Sequence, residues 1–541
     1  MLFNSLKFLI FFPAVVLLYF VLPKRVRNLW LLVASYVFYM GWNAKYVVLL
    51  FTSTLITYLS GLLLEWVKDS DRPETKKTAL KKWVVAVSFL LNLGILFYFK
   101  YVNFFLDTLG AAASLVGLTL NVPKFDILLP VGISFFTFQA LSYTVDVYRG
   151  EIGAEKNFLR YALFVSFFPQ LVAGPIERSK NLLQQLDTPK SFDFDRAREG
   201  FVLMLWGYFL KIVLADRIAI FVDTVYGDIA AFPGWYLIAA TVLFAVQIYC
   251  DFGGYSTIAM GAAKILGIEL MENFDAPYLS TSVSQFWRRW HISLTSWFKD
   301  YLYIPLGGSR KGKLRKYINK MIVFLVSGLW HGADATFVIW GGLNGLYQVL
   351  GEALAPARDK ACIHLGLHRE KACHKIAQGV VTFLLIDFSW IFFRAADFTQ
   401  AVSVIRSIFT AANPWVLFDG SLYGCGLDRK NFTLMLLGIG LLLLADLCKR
   451  RGLALHRVLL GQDWWARIVL IAAAILALLV FGKWGPGFNQ ASFIYFQFWE
   501  GGHEEKKHSE LPGRSGSGGP GHCPAERPAA AGGYGFPGDR H

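Results

Sequence analysis

The chain is cut into apolar runs of roughly 17 to 25 residues, with short basic loops between them. An α-helix rises about 1.5 Å per residue, so runs of that length match a hydrocarbon layer about 30 Å thick. Inside lipid the backbone must satisfy its own hydrogen bonds, which makes such runs helical. Of 541 residues, 55% are hydrophobic and only 17% are charged. The expected fold is an all-α polytopic membrane protein with about 10–12 transmembrane helices, plus re-entrant and interfacial segments around a central cavity. No soluble class fits this composition. The net charge of +15 first suggests nucleic acid. Basic loops facing an anionic cytoplasmic leaflet explain it better, so the expected partner is the lipid bilayer and not nucleic acid.

The first run, Leu2–Leu22, has no small-residue cleavage site and reads as a retained helix. Runs at 29–42, 46–67 and 83–105 follow. Placing Lys24–Arg27 and the charged loop 68–82 in the cytoplasm puts the weakly charged stretch 107–124 outside. The run 158–175 is short, has basic loops on both sides, and contains Phe168-Pro169-Gln170-Leu171-Val172-Ala173-Gly174-Pro175. Breakers there suit a re-entrant turn buried in protein. Gly200–Val222 leads out and Trp235–Leu266 leads back, carrying Gln247 and Asp251. Asp251 reads first as a hydrogen-bond partner between packed helices. The polar-aromatic stretch from Asn273 to Gly308 reads as interfacial, or as a cytoplasmic wall of a site in which Arg288 and Arg289 meet phosphates. The runs 376–393, 432–447 and 465–481 complete a membrane domain over residues 1–498, with 402–409 interfacial. Residues 499–541 are polar and rich in Gly and Pro, and read as a disordered tail unrelated to that domain. Cys362, His364, His368, Cys373 and His374 lie near one another in sequence, but their intervals match no common zinc finger, so no metal site is expected.

One histidine stands out. His331 sits in Phe324-Leu325-Val326-Ser327-Gly328-Leu329-Trp330-His331-Gly332-Ala333, 11 residues past Lys320. At helical rise that is about 16 Å, half of a ~30 Å hydrocarbon core. An ionisable group at that depth is costly and marks a functional site by default. A neutral histidine hydrogen-bonded between helices is the plain alternative. The apolar stretch 321–352 is too long and too rich in glycine for one helix. Two broken halves meeting near His331 fit it better.

Arg288-Arg289-Trp290-His291-Ile292-Ser293-Leu294, followed 40 residues later by Gly328-Leu329-Trp330-His331-Gly332, resembles the membrane-bound O-acyltransferases. Within them it is most similar to the bacterial alginate O-acetylation (AlgI-like) branch. Pro130-Val131-Gly132-Ile133-Ser134-Phe135, Pro169 to Ile176, Asp251 to Ser256 and Phe493 to Phe498 agree with it. The resemblance implies acyl transfer from a thioester, acetyl-CoA or another, to a hydroxyl, with no bound cofactor. It implies that His331 is the general base and His291 the second signature histidine, with Asp251, Arg288, Arg289, Trp330 and Asp300 as lesser candidates. A neutral imidazole can take the proton of an attacking hydroxyl, and burial favours the neutral form. The resemblance further implies a bacterial cytoplasmic membrane and an extracytoplasmic acetyltransferase partner of the SGNH type. Teichoic-acid D-alanylation proteins share the histidine signature and give the nearest rival. A transporter using His331 and Asp251 as a relay is the rival from another class. It leaves the paired histidines unexplained.

Overall fold

A computed structural model describes residues 1–188 and 190–483. The expected tail 499–541 and the signature Phe493–Phe498 lie outside the described residues. Helices α1 (Leu6–Val21), α2 (Arg27–Met40), α3 (Val47–Asp69) and α4 (Glu74–Lys100) come first. The hydroxyl of Ser5 caps α1 by accepting from the Phe8 amide. α5 (Val102–Leu115) continues the run beyond Tyr101, so half of the weakly charged stretch is helical. α6 (Ile133–Arg149) is almost wholly buried. α7 (Phe158–Ser166) and α8 (Phe168–Leu171) are one apolar segment broken at Phe167. Every residue from Tyr161 to Ser179 is buried. Breaks in the helix are tolerated there because protein surrounds them.

After α9 (Ser179–Asp187), the helical path is longer than the expected Gly200–Val222. α10 (Phe194–Tyr208), a π-helical stretch Phe209–Ala215 and α11 (Asp216–Gly227) follow without interruption. α12 (Trp235–Ile265) packs along α10. The two cross where Gly207 faces Gly254, and a Cβ on Gly254 would lie 2.8 Å from the Gly207 carbonyl oxygen. α13 (Val283–Trp287) and α14 (Ile292–Phe298) are short helices within the polar-aromatic stretch. α15 (Lys313–His331) and α16 (Ala335–Ala353) form a helical hairpin, the two halves that the glycine-rich run suggests. α17 (Ala355–His364), α18 (Ala372–Arg394), α19 (Phe398–Thr410), α20 (Arg429–Arg450), α21 (Leu455–Leu460) and α22 (Trp464–Phe481) complete the described chain.

Six of the described helices are long and apolar enough to cross a membrane by themselves: α3 with its leading turn, α4, α12, α18, α20 and α22. The others are shorter or carry polar faces that neighbours cover. The basic loops gather at one end of the bundle. There Arg27 donates to the Lys190 carbonyl, Lys264 pairs with Glu199 and Glu269, and Lys449 pairs with Glu272. At the opposite end Arg394 of α18 meets Asp223 of α11 (2.7 Å), and Gln400 of α19 donates to the Tyr226 carbonyl.

Candidate active site

His331 is the last residue of α15 and is 4% exposed. The feet of its hairpin are tied at the basic end, where Lys316 and Lys320 share Glu352. The chain turns at Gly332-Ala333, and Asp334 starts α16 by accepting from the Thr336 amide (2.8 Å). Two glycines let the arms touch backbone to backbone. A Cβ on Gly328 would strike the Phe337 carbonyl, and one on Gly341 would strike the Phe324 carbonyl. The His331 ring then sits among aromatic rings set nearly perpendicular to it: Trp330 at 4.9 Å, Trp340 at 5.0 Å and Phe393 at 5.4 Å between centroids.

His291 reaches the same place from the polar-aromatic stretch. That stretch is no surface layer: Phe286, Trp287, Trp290, Leu294, Trp297 and Phe298 are all buried. It packs inside the protein, while Arg288 stays exposed. Asn273 holds the turn. Its carbonyl accepts from the Ile292 amide (3.0 Å), its side-chain oxygen accepts from the Ser293 amide (3.2 Å), and its amide donates to Ser256 Oγ on α12 (3.1 Å). His291 itself has φ 45° and ψ 55°, left-handed backbone that a side chain rarely adopts. Such strain persists only where surroundings impose it, and it clusters at functional sites. The ring lies edge-on to Phe252 at 4.7 Å and 6.4 Å from the His331 ring. Nδ1 is 3.5 Å from Ser293 Oγ, while the buried Nε2 makes no hydrogen bond among the described residues. The two imidazoles are close enough to act on one small reacting group.

The remaining sequence candidates part company. Trp330 belongs to the cage and touches both histidines (4.9 Å and 6.0 Å). Asp251 is paired with Lys211 of the π-helical stretch (2.5 Å). Asp300 is paired with Arg178 (2.9 Å). Arg289 leans on Asp275 (3.5 Å), and exposed Arg288 bonds only weakly to the Ser284 carbonyl (3.3 Å). Among the described residues, no group of three His, Cys, Asp or Glu stands where it could hold a metal ion. Lys100, Tyr101, Trp340 and Phe393 were not singled out in the sequence, yet they surround the tip of the hairpin. Lys100 carried a usable signal, a charge inside the apolar run 83–105. A cavity of about 460 Å³ opens between α10, α12, α20 and α22, and Asn273 and Phe274 form part of its wall.

The family model for the membrane-bound O-acyltransferases matches residues 30–393, which include both histidines and the whole hairpin. The chain is 36% identical over 448 residues to the "Probable alginate O-acetylase AlgI" of Pseudomonas aeruginosa, covering 83% of this chain and 80% of that protein. It is 33% identical over 440 residues to the peptidoglycan O-acetyltransferase of Helicobacter pylori, covering 75% and 80%. Similarity to the teichoic acid D-alanyltransferase of Bacillus subtilis is lower, 26% over 237 residues, covering 40% and 58%. The chain therefore belongs to the membrane-bound O-acyltransferase family and is a membrane acyltransferase.

Proposed function

We propose that this acyltransferase takes an acetyl group from a cytoplasmic thioester, acetyl-CoA in the simplest case, for O-acetylation of an extracytoplasmic polysaccharide. The observation that carries the proposal is the placement of His331. It ends a helix that rises from the basic end, inside an aromatic cage, with His291 facing it at 6.4 Å. A hydroxyl is a poor nucleophile at neutral pH, and His331 supplies the base. Its imidazole takes the hydroxyl proton as the oxygen forms its bond to the thioester carbonyl. The carbon–sulfur bond then breaks, and the proton passes to the departing thiolate. Atoms balance without a metal or redox partner. His291, whose Nε2 has no hydrogen-bond partner among the described residues, orients the reacting group or holds charge on the carbonyl oxygen. The greater similarity to acetyl-transferring relatives favours acetyl over D-alanyl. We place the protein in the bacterial cytoplasmic membrane, with the basic end in the cytoplasm. An extracytoplasmic acetyltransferase of the SGNH type is the proposed partner that completes transfer to the polymer.

The test is acetyl ester content of secreted and wall polysaccharides in cells carrying wild type or His331→Ala, with membrane levels of the protein measured alongside. Loss of ester at normal protein level supports the proposal, and the polymer that loses ester identifies the acceptor. Full ester content with His331→Ala at normal level overturns the assignment of His331 as base. Loss of D-alanyl ester with intact acetyl ester would move the donor to the D-alanyl class.

A further inference from the structure

The tip of the His331 hairpin is held from α4. Lys100 ends α4, and its ammonium donates to the Trp330 carbonyl, with the His331 carbonyl and Ser134 Oγ each at 3.4 Å. The next residue, Tyr101, donates its hydroxyl to the Leu329 carbonyl at 2.8 Å. Three consecutive carbonyls at the end of α15 thus receive donors from one dipeptide. The last carbonyls of a helix have no partner within it and carry the negative end of its dipole. A cation placed at that end meets the negative pole of the helix. The ammonium also lies 5.7 Å from the Trp330 ring, the neighbour that abuts the imidazole. Ser134 is fully buried on α6, one residue before Phe135, whose ring lies 6.2 Å from His291.

We propose that Lys100 and Tyr101 are positioning residues for the acyl transfer: their bonds to the carbonyl end of α15 fix the His331 imidazole against His291. The proposal rests on His331 being the base. The hairpin is anchored by charge at its feet, and the Lys100 and Tyr101 bonds from α4 anchor its tip. Misplacement of a catalytic group by an ångström can cost as much as a hundredfold in rate, so the clamp acts on turnover and not on donor binding.

Purified full-length protein in detergent, with acetyl-CoA as donor, tests this through turnover and the KM for the donor. Four variants are compared: Lys100→Met, Lys100→Arg, Tyr101→Phe and His331→Ala. Loss of a bond from a charged donor predicts about a tenfold or greater fall in kcat for Lys100→Met, with donor KM within about twofold. Tyr101→Phe keeps the ring and removes one neutral bond, so a fall of about threefold to tenfold is expected. Lys100→Arg keeps the charge and restores at least half of what Lys100→Met loses. Wild-type kcat in both Lys100→Met and Tyr101→Phe, with His331→Ala inactive, would overturn the clamp and leave the base assignment intact. An active His331→Ala would overturn the base assignment itself. If Lys100→Met does not reach the membrane, Tyr101→Phe at normal level decides alone: reduced kcat supports the clamp and unchanged kcat removes it.

Discussion

Lys211 Nζ stands 2.5 Å from Asp251 Oδ1, and both side chains are buried in the bundle. Asp216 Oδ1 approaches the same ammonium at 2.9 Å. The π-helical stretch at Phe209–Ala215 carries Lys211, and the crossing at Gly207 and Gly254 brings α12 close enough for Asp251 to meet it. Removing the ammonium would leave two carboxylates facing each other away from water. Breaking a buried pair in this way costs about 3–5 kcal/mol. Lys211→Met should therefore fall sharply in membrane level and in thermal stability in detergent. Asp251→Asn leaves the Lys211–Asp216 pair and should fall less. Equal melting temperatures for Lys211→Met and wild type would show that the triad does not hold α10 to α12.

This pairing shows what the sequence could and could not say. Helical class, the hairpin near His331 and a break somewhere in the run 158–175 were legible, because run length, breaker residues and glycine content act locally. Asp251 was legible as a packing group from its position in a long apolar run, but its partner was not. Lys211 lies 40 residues earlier, and only the crossing of α10 and α12 joins them. Lys100 was likewise visible as a charge but not as a clamp, since its target is 230 residues away. Asp300 stood among the lesser candidates beside the histidine signature, and its partner was not legible. Arg178, from the chain after α8, meets it. The polar-aromatic stretch was ambiguous because Trp and Tyr serve membrane interfaces and buried walls alike.

The hairpin crossing yields a paired prediction. A methyl group at Gly341 has no room, since the Phe324 carbonyl occupies its place. The neighbouring Gly342 would meet only Leu325 Cδ2, at an ordinary 3.6 Å. Gly341→Ala should push the arms apart, cost about 1–3 kcal/mol, and lower turnover by displacing His331. Gly342→Ala should be neutral or slightly stabilising, because alanine is the better helix former by up to about 1 kcal/mol. Thermal melting and turnover of the two variants, measured side by side, check both halves. Matching behaviour of the pair would mean that the close crossing does not set the tip.

Trp340 offers a test of the cage. It is 1% exposed, stacks on Trp390 at 5.7 Å and meets His331 edge to face. Trp340→Ala removes the whole indole and should cost about 3–5 kcal/mol. Trp340→Phe keeps a ring against the imidazole and should retain most of the membrane level. Its kcat should still fall, because a smaller ring leaves His331 room to turn. Unaltered kcat in Trp340→Phe would mean that the cage does not restrain the imidazole.

His291 poses the sharpest question, because backbone and side chain make separate demands there. Its left-handed φ of 45° is tolerated by Asn far better than by a β-branched residue. His291→Asn should therefore keep the turn that Asn273 holds, while His291→Val should strain it by about 1–3 kcal/mol. If the histidine serves only the turn, Asn should restore function. If its imidazole serves the reaction, Asn should fold and fail. The 6.4 Å approach to His331, with an Nε2 that has no partner among the described residues, favours the second outcome. We expect His291→Asn to reach wild-type membrane levels with kcat lowered by about a hundredfold or more, the range for loss of an acid–base or charge-stabilising group. His291→Val should lose both level and activity. Near-normal kcat in His291→Asn would reduce His291 to a backbone role and leave His331 as the sole acid–base group of the pair.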